Sequence, residues 1–342
     1  MLARFITWSL FFVLLVGFVG AISVYRGTQG EDRTVLIPRG AGVGKVASVL
    51  QQEGVLGHPL VFKALVTLTG GRNRVKAGEY AFKKDMGAIG SLLTLYFSTP
   101  IEHAITIPEG WNARQIAGAL QAKGLADPNK FLKIVFDPAS AQRYKLQSPT
   151  LEGFLFPDTY TFSRIDGEER IADRMVTRFF SHVDAGLKQQ LQASGMTLEQ
   201  WVTLASIIEK ETGVPTEREL ISSVFHNRLK KKMRLQSDPT TIYGIVNFDG
   251  NLTRKHLQTS TPYNTYTIPA LPPGAICSPG LATLRATLNP ANTNYLYFVA
   301  NGQGTHLFSE TYGQHSQKVD QYQKRRATRN ANSTRQIGTL QR

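Results

Sequence analysis

The residues best suited to chemistry lie in segment 205–213, ASIIEKETG, where an apolar stretch leads into two carboxylates, Glu209 and Glu211. A helix is predicted to end there, because Gly213 and then Pro215 interrupt it. A carboxylic acid beside apolar surface loses the solvation of its charged form, so its pKa rises towards the range that a general acid needs near neutral pH. The same pattern also fits a solvated, charged helix end, and spacing alone does not decide between the two interpretations.

The position of the two acids on the helix does not identify the one that acts. With about 100° between successive residues, Glu209 and Glu211 fall about 200° apart, on opposite flanks of the apolar stripe that carries Trp201 and Ile208. Glu209 lies somewhat closer to that stripe. The pattern alone therefore gives a slight preference for Glu209.

Motifs of other enzyme classes are absent from the sequence, which contains no G-x-S-x-G, H-E-x-x-H, P-loop or C-x-x-C. The seven histidines show no metal-ligand spacing, so neither a metal nor another cofactor is expected. The single cysteine, Cys277, excludes an intramolecular disulfide, and no histidine spacing suggests a catalytic dyad.

Amphipathic helices are predicted around the two acids, over 167–185 and 197–211. A third helix is predicted to begin after Pro215, where 216–219 (TERE) matches a capping box. The segment 295–299, YLYFV, is apolar and aromatic enough to predict a buried strand. These elements predict a mixed, helix-rich domain of the α+β class.

An internal repeat precedes these helices. Segment 35–66 begins VLIPRGAGVGKVASVLQQEGVL, and segment 105–136 begins ITIPEGWNARQIAGALQAKGLA. Each copy predicts a short strand, a Pro/Gly turn and a helix that ends near Gly54 or Gly124. A second pair of similar segments follows the repeat, AGEYAF after the first copy and PDTYTF after the second. The repeat therefore predicts two small βα units, without any cluster of chemical groups.

The apolar segment 5–25 contains no charged residue and is bracketed by Arg4 and Arg26. A membrane-spanning helix needs about 20 apolar residues, whereas the apolar part of a signal peptide has about 7–15. A single uncleaved transmembrane anchor is therefore expected. The basic residues on its two sides do not fix its orientation.

The net charge of +14 suits nucleic acid, an acidic membrane surface or an anionic polymer. The anchor and the lack of interleaved basic and aromatic residues argue against nucleic acid, so no nucleic-acid partner is expected. Peptidoglycan, with its peptide carboxylates, would suit the charge. The basic tail 326–342 is predicted to be disordered.

Five long segments follow one another along the chain: EGFLFPDTY (152–160), ASIIEKET (205–212), SSVFHNRLKKKMRLQSDPTTIYG (222–244), TPYNTYTIPALPPGAICSPG (261–280) and NYLYFVA (294–300). Together they resemble the YceG-like endolytic murein transglycosylases. The resemblance also covers the anchor and a LysM-like module with IPxG and AGxYxF signatures, so it extends over nearly the whole chain.

The resemblance implies that the second acid, Glu211, is catalytic, against the slight preference for Glu209. It implies non-hydrolytic cleavage between N-acetylmuramic acid and N-acetylglucosamine within peptidoglycan strands, which leaves 1,6-anhydro ends and terminates elongation. It also implies a catalytic part outside the plasma membrane and a partnership with peptidoglycan synthases. The supporting or substrate-binding residues expected from the matching motifs are Glu209, Gln236, Asp238, Tyr243, Tyr263, Asn264 and Tyr266.

The predicted organisation follows from these patterns together. It comprises a cytoplasmic N-terminus (1–4), a transmembrane anchor (5–25), a LysM-like module (34–100), a second βα unit (101–165), a catalytic domain (166–325) and a basic tail (326–342).

Two alternative functions stay open at this point. A muramidase-type hydrolase would need a second carboxylate, which Glu209, Glu217 or Asp238 could supply. A non-catalytic scaffold would instead use the paired modules to hold glycan, and Glu211 would then be dispensable.

Overall fold

The computed structural model describes residues 31–71, 74–84 and 86–324. The anchor predicted at 5–25 and the tail predicted at 326–342 lie outside the described residues. In the part that is described, no helix combines the length and the apolar character needed to cross a membrane.

The contacts within the chain define two compact units. The first contains the described residues up to Ile105 together with 120–126 and 160–167, and the second contains 106–119, 127–159 and the described residues from Glu168 onward. The domain bounds expected from the sequence stay predictions.

The first unit is built around an antiparallel pair of strands. Its elements up to Phe97 are β1 (Arg33–Ile37), α1 (Val43–Gln52), α2 (Pro59–Leu68), β2 (Gly78–Phe82) and α3 (Ala88–Phe97). Arg33 pairs with Phe82 and Ile37 pairs with Gly78. Because side chains alternate along a strand, Val35 and Ile37 share the face that packs into the apolar core of this unit.

The predicted repeat is confirmed in its local structure. The second copy forms β3 (His103–Thr106), α4 (Ala113–Ala122) and β4 (Thr159–Phe162), and β3 pairs with β4 as β1 pairs with β2. Helices α1 and α4 end in the same way, since Gly54 and Gly124 adopt φ of 70° and 64°. The next amides, of Val55 and Leu125, donate to carbonyl oxygens one turn back, at 2.8 and 2.9 Å. Glycine suits this left-handed helix end because it has no Cβ to clash.

The second unit is mainly helical, with one two-stranded sheet at its C-terminal end. Its further elements are α5 (Pro128–Val135), α6 (Pro138–Arg143), α7 (Glu168–His182), α8 (Ala185–Ser194), α9 (Leu198–Glu211), α10 (Arg218–Lys230), α11 (Asp238–Tyr243), α12 (Arg254–Gln258), α13 (Leu281–Leu288), β5 (Tyr297–Ala300), β6 (His306–Ser309) and α14 (Tyr312–Val319). Helix α9 is central, because all its residues from Trp201 to Ile208 are buried. The indole of Trp201 also donates a 2.8 Å hydrogen bond to the carbonyl of Leu284 in α13.

The helix predicted over 197–211 is confirmed as α9, which Thr197 caps with Gln200 in a capping box. The helix predicted over 167–185 is confirmed as α7, which ends three residues early, at His182, because Asp184 caps the start of α8.

The capping box predicted over 216–219 is wrong. Residues Pro215–Glu217 form a 3₁₀ turn, and α10 begins at Arg218 without a side-chain cap. The carboxylate of Glu217, at the N-cap position, instead accepts two hydrogen bonds from His306. A tertiary contact therefore takes priority over the local capping pattern.

The buried strand predicted over 295–299 is also partly wrong. The strand begins two residues later, and only Val299 is buried. Among the described residues its strand partner is β6, helices α10 and α14 also contact it, and Tyr297 and Phe298 stay half-buried.

Candidate functional site

Glu211 is the last residue of α9, and its carboxyl lies in a cleft of about 510 Å³ within the second unit. Thr212 leaves the helix with φ −88° and ψ 105°, so the helix ends at the acid that lines the cleft. Polar and aromatic side chains surround it, among them Asp238, Tyr266 and Tyr297. The cleft thus combines one buried helix end with groups that could contact a polar, ring-shaped ligand.

Ser237 orients the Glu211 carboxyl. Its hydroxyl donates a 2.6 Å hydrogen bond to Oε1 of Glu211. Its own amide donates to Oγ1 of Thr265 at 2.9 Å, which fixes the serine backbone. Ser237 occupies the N-cap position of α11, yet its side chain makes no cap bond. The hydroxyl is therefore directed to the acid rather than to the helix that it precedes.

Several groups set the pKa of Glu211, and the net direction is upward. Burial raises this pKa most, while the hydrogen bond from Ser237 opposes the rise because it stabilises the carboxylate. The nearby carboxylate of Asp238 raises it further, and His306 and the guanidinium of Arg228 lower it. The protonated form of Glu211 is thus favoured over that of an ordinary glutamate, as a general acid requires.

Arg228 forms the floor of the cleft. It is only 8% exposed, and its guanidinium donates to the carbonyls of Leu296 at 2.7 Å and Leu235 at 2.9 Å. It also lies over the ring of Tyr297, 5.2 Å from the ring centre. Burial lowers its pKa, but a guanidinium stays charged in proteins. Arg228 therefore joins α10 to β5 and leaves a positive charge near Glu211.

Gln236 lies between Arg228 and the serine loop. Its Oε1 accepts a 3.3 Å hydrogen bond from Arg228, and its φ of 50° is left-handed. Non-glycine residues rarely adopt this conformation, and such strain concentrates at functional sites.

The phenol of Tyr266 donates a 2.7 Å hydrogen bond to Oδ1 of Asp238. Burial and this bond raise the pKa of Tyr266, so it remains a donor. The buried amide of Asn264 holds the same loop: its Nδ2 donates to three carbonyls, including that of Thr259 at 2.6 Å, and its Oδ1 accepts from the amide of Tyr266 at 3.0 Å. Asn264 thus positions Tyr266 without lining the cleft.

A carboxylate fixes His306 at the side of the cleft. Glu217 is only 7% exposed and accepts from the backbone amide of His306 at 2.8 Å and from its Nδ1 at 2.7 Å. Because the carboxylate can only accept, Nδ1 carries the proton in this contact. The ring therefore has one orientation, with Nδ1 directed at Glu217.

Glu209 takes part in a separate contact. Its Oε2 accepts a 3.1 Å hydrogen bond from the amide of Gly280. Burial is the main cause that raises the pKa of Glu109, and the neighbouring Glu209 carboxylate raises it further. Glu209 does not line the cleft that contains Glu211.

Tyr243 and Tyr263 pack together outside that cleft, with ring centres 4.8 Å apart. The phenol of Tyr243 donates a 3.0 Å hydrogen bond to Glu152, a fully buried acid. Both oxygens of Glu152 also accept from the amide of Ala113, at 3.0 and 3.1 Å, at the start of α4. Burial raises the pKa of Glu152 to about 7, against these bonds.

A model of the YceG-like family matches residues 35–321. The chain belongs to the YceG-like family. An endolytic murein transglycosylase of Bacillus subtilis (strain 168) is 31% identical over 331 residues, which cover 90% of this chain and 91% of that protein. An endolytic murein transglycosylase of Streptococcus pneumoniae serotype 2 is 28% identical over 321 residues, and the match covers 84% of this chain and 58% of the longer relative.

The fold of this YceG-like chain also matches a solved structure. The 2.6 Å crystal structure of a YceG-like protein from Listeria monocytogenes superposes with a TM-score of 0.57 at 33% identity, over 84% of this chain and 99% of that one. The family and the α+β class expected from the sequence are therefore confirmed. The LysM-like character of residues 34–100 stays a prediction.

In the structure of this chain, the predicted site residues fall into two groups. The cleft brings together Glu211, Gln236, Asp238 and Tyr266, whereas Glu209, Tyr243, Tyr263 and Asn264 lie outside it. The catalytic and supporting roles of all eight stay predictions. No group of three or more histidine, cysteine or acidic side chains in the described part of the chain could hold a metal ion.

The sequence predicts no functional role for Ser237, Arg228 or His306. Ser237 lies between two predicted site residues, but a serine before Asp-Pro is already explained as a helix cap. Arg228 and His306 approach Glu211 only through tertiary packing, so no local spacing identifies them. His306 is held beside the cleft by its contact with Glu217, which lies 89 residues away in the sequence. No local pattern in the sequence shows that pairing.

Proposed function

We propose that this chain is an endolytic murein transglycosylase that cuts the bond between N-acetylmuramic acid and N-acetylglucosamine within nascent glycan strands. The observation that carries the proposal is the Glu211 carboxyl, whose pKa burial raises at the end of α9 in a cleft with aromatic walls. The names of the Bacillus and Streptococcus relatives support peptidoglycan as the substrate.

In the first step Glu211 acts as the acid. Its carboxyl donates a proton to the glycosidic oxygen, the bond from that oxygen to C1 of the muramic acid breaks, and N-acetylglucosamine leaves with a free 4-hydroxyl. The sugar that remains carries oxocarbenium-like positive charge. The carboxylate of Asp238, in the same cleft, stabilises this charge.

In the second step the Glu211 carboxylate acts as the base. It accepts the proton of the muramic acid C6 hydroxyl while O6 bonds to C1 and closes the 1,6-anhydro ring. The carboxyl is protonated again at the end, and no water is consumed. One residue thus acts as both acid and base, which requires a pKa nearer neutrality than that of an ordinary glutamate.

The neighbours of Glu211 have separate parts in this mechanism. Ser237 holds the carboxyl in one orientation through its 2.6 Å hydrogen bond. Tyr266 lines the cleft with a ring on which a sugar can stack, whereas the ring of Tyr297 already contacts Arg228 and stacks on His315. Arg228 packs on the ring of Tyr297, and its positive charge opposes the rise in the pKa of Glu211.

A hydrolase of the muramidase type would need a second carboxylate within the cleft. Glu209 and Glu217 do not line it and accept hydrogen bonds elsewhere. Asp238 is the other acid among the lining residues, and Tyr266 already donates to it. The names of the relatives favour the transglycosylase, and the products distinguish the two reactions.

The test is product analysis by mass spectrometry after the full chain, in detergent, is incubated with purified glycan strands. We expect internal fragments with 1,6-anhydromuramic ends, lost in Glu211→Gln and retained in the matched control Glu209→Gln. Fragments with reducing ends would instead indicate a hydrolase. If Glu211→Gln cuts as well as the wild type, the acid assignment is wrong and the scaffold function takes its place.

The proposed location is the plasma membrane, with residues 5–25 as a single anchor and the cleft on the outer face beside the peptidoglycan synthases. This location suits an enzyme that terminates growing strands, because the substrate is made at that surface. Digestion of the chain by protease added outside intact spheroplasts would support it. Protection until lysis would contradict it.

A further inference from the structure

Two helices of the first unit present apolar side chains on their outward faces. In α2, Phe62 and Val66 are buried, while the opposite face carries Leu60 and Leu68, 75% and 83% exposed. In α3, Leu93 and Phe97 are 49% and 75% exposed. Leu93 and Phe97 are four residues apart and Leu60 and Leu68 are eight apart, so each pair lies on one side of its helix.

The two stripes lie on neighbouring helices. Helices α2 and α3 pack together, and at their C-terminal ends Oγ1 of Thr69 lies 3.1 Å from the phenol oxygen of Tyr96. Leu68 precedes Thr69 and Phe97 follows Tyr96, so the backbones at both positions lie next to this contact. We call Leu60, Leu68, Leu93 and Phe97 the apolar face.

The apolar face is unusual for a surface exposed to water. Five of the seven exposed large apolar side chains of the described residues lie between residues 36 and 97. Helices α2 and α3 contain one charged residue between them, Lys63. An outward helix face normally carries polar and charged residues, and a contiguous apolar patch marks an interface.

The chain itself indicates what covers this face. The apolar segment proposed as the anchor ends at Tyr25, and β1 begins at Arg33. Residues 26–32, fully extended, reach at most about 25 Å. The first unit is therefore held near the bilayer surface, and a tethered surface meets its partner at high effective concentration.

Three basic residues lie close in sequence to the helices that carry the apolar face. Lys63 is on α2, and Arg74 and Lys76 follow it in the connection to β2. That connection passes the end of α3, because a Cβ on Gly71 would overlap the phenol of Tyr96. Basic groups around apolar side chains match anionic headgroups above acyl chains. In a symmetric dimer through this face, the same basic groups would confront each other.

We propose that the apolar face of α2 and α3 inserts into the outer surface of the lipid bilayer that holds the anchor. The inference rests on the proposed anchor but not on the proposed chemistry. Docking in this way holds the first unit against the membrane, so that only glycan close to the site of synthesis is within reach.

The test uses the full chain in vesicles of phosphatidylethanolamine and phosphatidylglycerol, with a polarity-sensitive fluorophore at a single introduced thiol. Leu68→Cys and Phe97→Cys are the probe positions, and Val246→Cys is the matched control, since Val246 is as exposed as Leu68, at 83%. The native Cys277 is buried, and the labelled wild type serves as the blank. Lipids with a nitroxide on the acyl chain report contact with the bilayer.

We expect blue-shifted emission at positions 68 and 97 and about twofold or greater quenching by the nitroxide lipids, with neither at 246. Leu60→Glu with Leu93→Glu should abolish the quenching at 97, while circular dichroism shows an intact fold, because both positions are exposed. Emission that is blue-shifted but unquenched, and that reverts on dilution of the protein, would mean that a second copy covers the face. Emission typical of water at all positions would mean that nothing does. Either result overturns the proposal.

Two further measurements separate this inference from the proposed function. Flotation with the vesicles tests the anchor, and a chain that does not float overturns both the anchor and the docking. Cleavage of free glycan strands by the labelled variants tests the chemistry. A chain that cuts and floats while its label stays unquenched overturns the docking alone.

Discussion

The hydroxyl of Ser237 lies 2.6 Å from Oε1 of Glu211, and the next residue in the chain, Asp238, contributes a carboxylate to the same cleft. These neighbours act on Glu211 in opposite directions, since the hydrogen bond stabilises its charged form and the second carboxylate destabilises it. A short loop before α11 thus adjusts an acid that burial has already shifted.

Ser237→Ala should raise the pKa of Glu211, because it removes the donor that stabilises the carboxylate. The acid acts in its protonated form, so activity falls as pH rises through that pKa. The alkaline limb of the kcat/KM profile should therefore move to higher pH. We also expect kcat to fall about tenfold, since a hydrogen bond to a charged group contributes about 1.5–3 kcal/mol. An unmoved alkaline limb would exclude this role for the serine.

Asp238→Asn should have the opposite effect on the profile. It removes a charge that raises the pKa of Glu211, so the alkaline limb should move to lower pH. Tyr266→Phe is the control, because it removes the phenol bonded to Asp238 and leaves the carboxylate in place. A shift in the control variant equal to that of Asp238→Asn would mean that loop geometry, not charge, sets the pKa.

The placement of Glu211 at the end of α9 could be predicted because its causes are local. Apolar spacing from Trp201 to Ile208 fixes the helix, and the breakers after Glu211 end it. The choice of Glu211 over Glu209 could not be predicted from periodicity, since both acids flank the stripe. The fold gives the two acids different surroundings, since Glu211 lines the cleft and the amide of Gly280 donates to Glu209, and the catalytic role of Glu211 stays a prediction.

The rest of the cleft depends on contacts that are distant in sequence. Arg228 donates to the carbonyl of Leu296, just before β5, and His306 binds the carboxylate of Glu217 in the turn before α10. The predicted capping box fails because residues Pro215–Glu217 form a 3₁₀ turn and α10 begins only at Arg218, where the Glu217 carboxylate binds His306. Local propensity cannot anticipate a buried polar group whose partner lies far along the chain.

Glu152→Gln should remove a pH dependence of folding stability. The pKa of Glu152 rises from 4.5 to about 7 on folding, so the folded state keeps a proton that the unfolded state loses. Stability from this group is complete below pH 4.5 and is lost as pH rises towards 7. The loss is of the order of a few kcal/mol, at about 1.4 kcal/mol for each pKa unit. The glutamine side chain resembles the protonated acid and does not titrate, so urea unfolding of the variant should vary less over this range.

Tyr243→Phe is the companion variant for Glu152. The phenol of Tyr243 stabilises the carboxylate, so its removal should raise the pKa of Glu152 and extend the loss of stability to higher pH. If Glu152→Gln and the wild type have parallel stability profiles between pH 4.5 and 7, the acid is not protonated in the fold.

Glu217→Gln should weaken the support of His306. One amide oxygen cannot reproduce two charge-assisted hydrogen bonds to the amide and Nδ1 of His306, so we expect a loss of about 1–3 kcal/mol in urea unfolding. Glu219→Gln, two residues later in the first turn of α10 and exposed, is the control and should change stability by less than about 0.5 kcal/mol. Equal stability of the two variants would mean that the pair with His306 contributes nothing.

Gly153→Ala should be strongly destabilising, because two independent constraints exclude a side chain there. Its φ is 88°, and a Cβ would lie 2.8 Å from Cγ1 of Val202 on α9 and overlap the side chain of Ala275. Gly167→Ala separates the two effects, since its φ of 76° is similar and nothing lies within 4 Å of a Cβ. We expect about 1 kcal/mol for Gly167→Ala from backbone strain alone and at least about 3 kcal/mol for Gly153→Ala, where α9 or the segment around Ala275 must also move. Thermal unfolding measures both, and the excess at position 153 reports how tightly the EGFLFP segment packs against the helix that carries Glu211. If the two variants lose the same stability, that packing is loose and only the backbone conformation demands glycine.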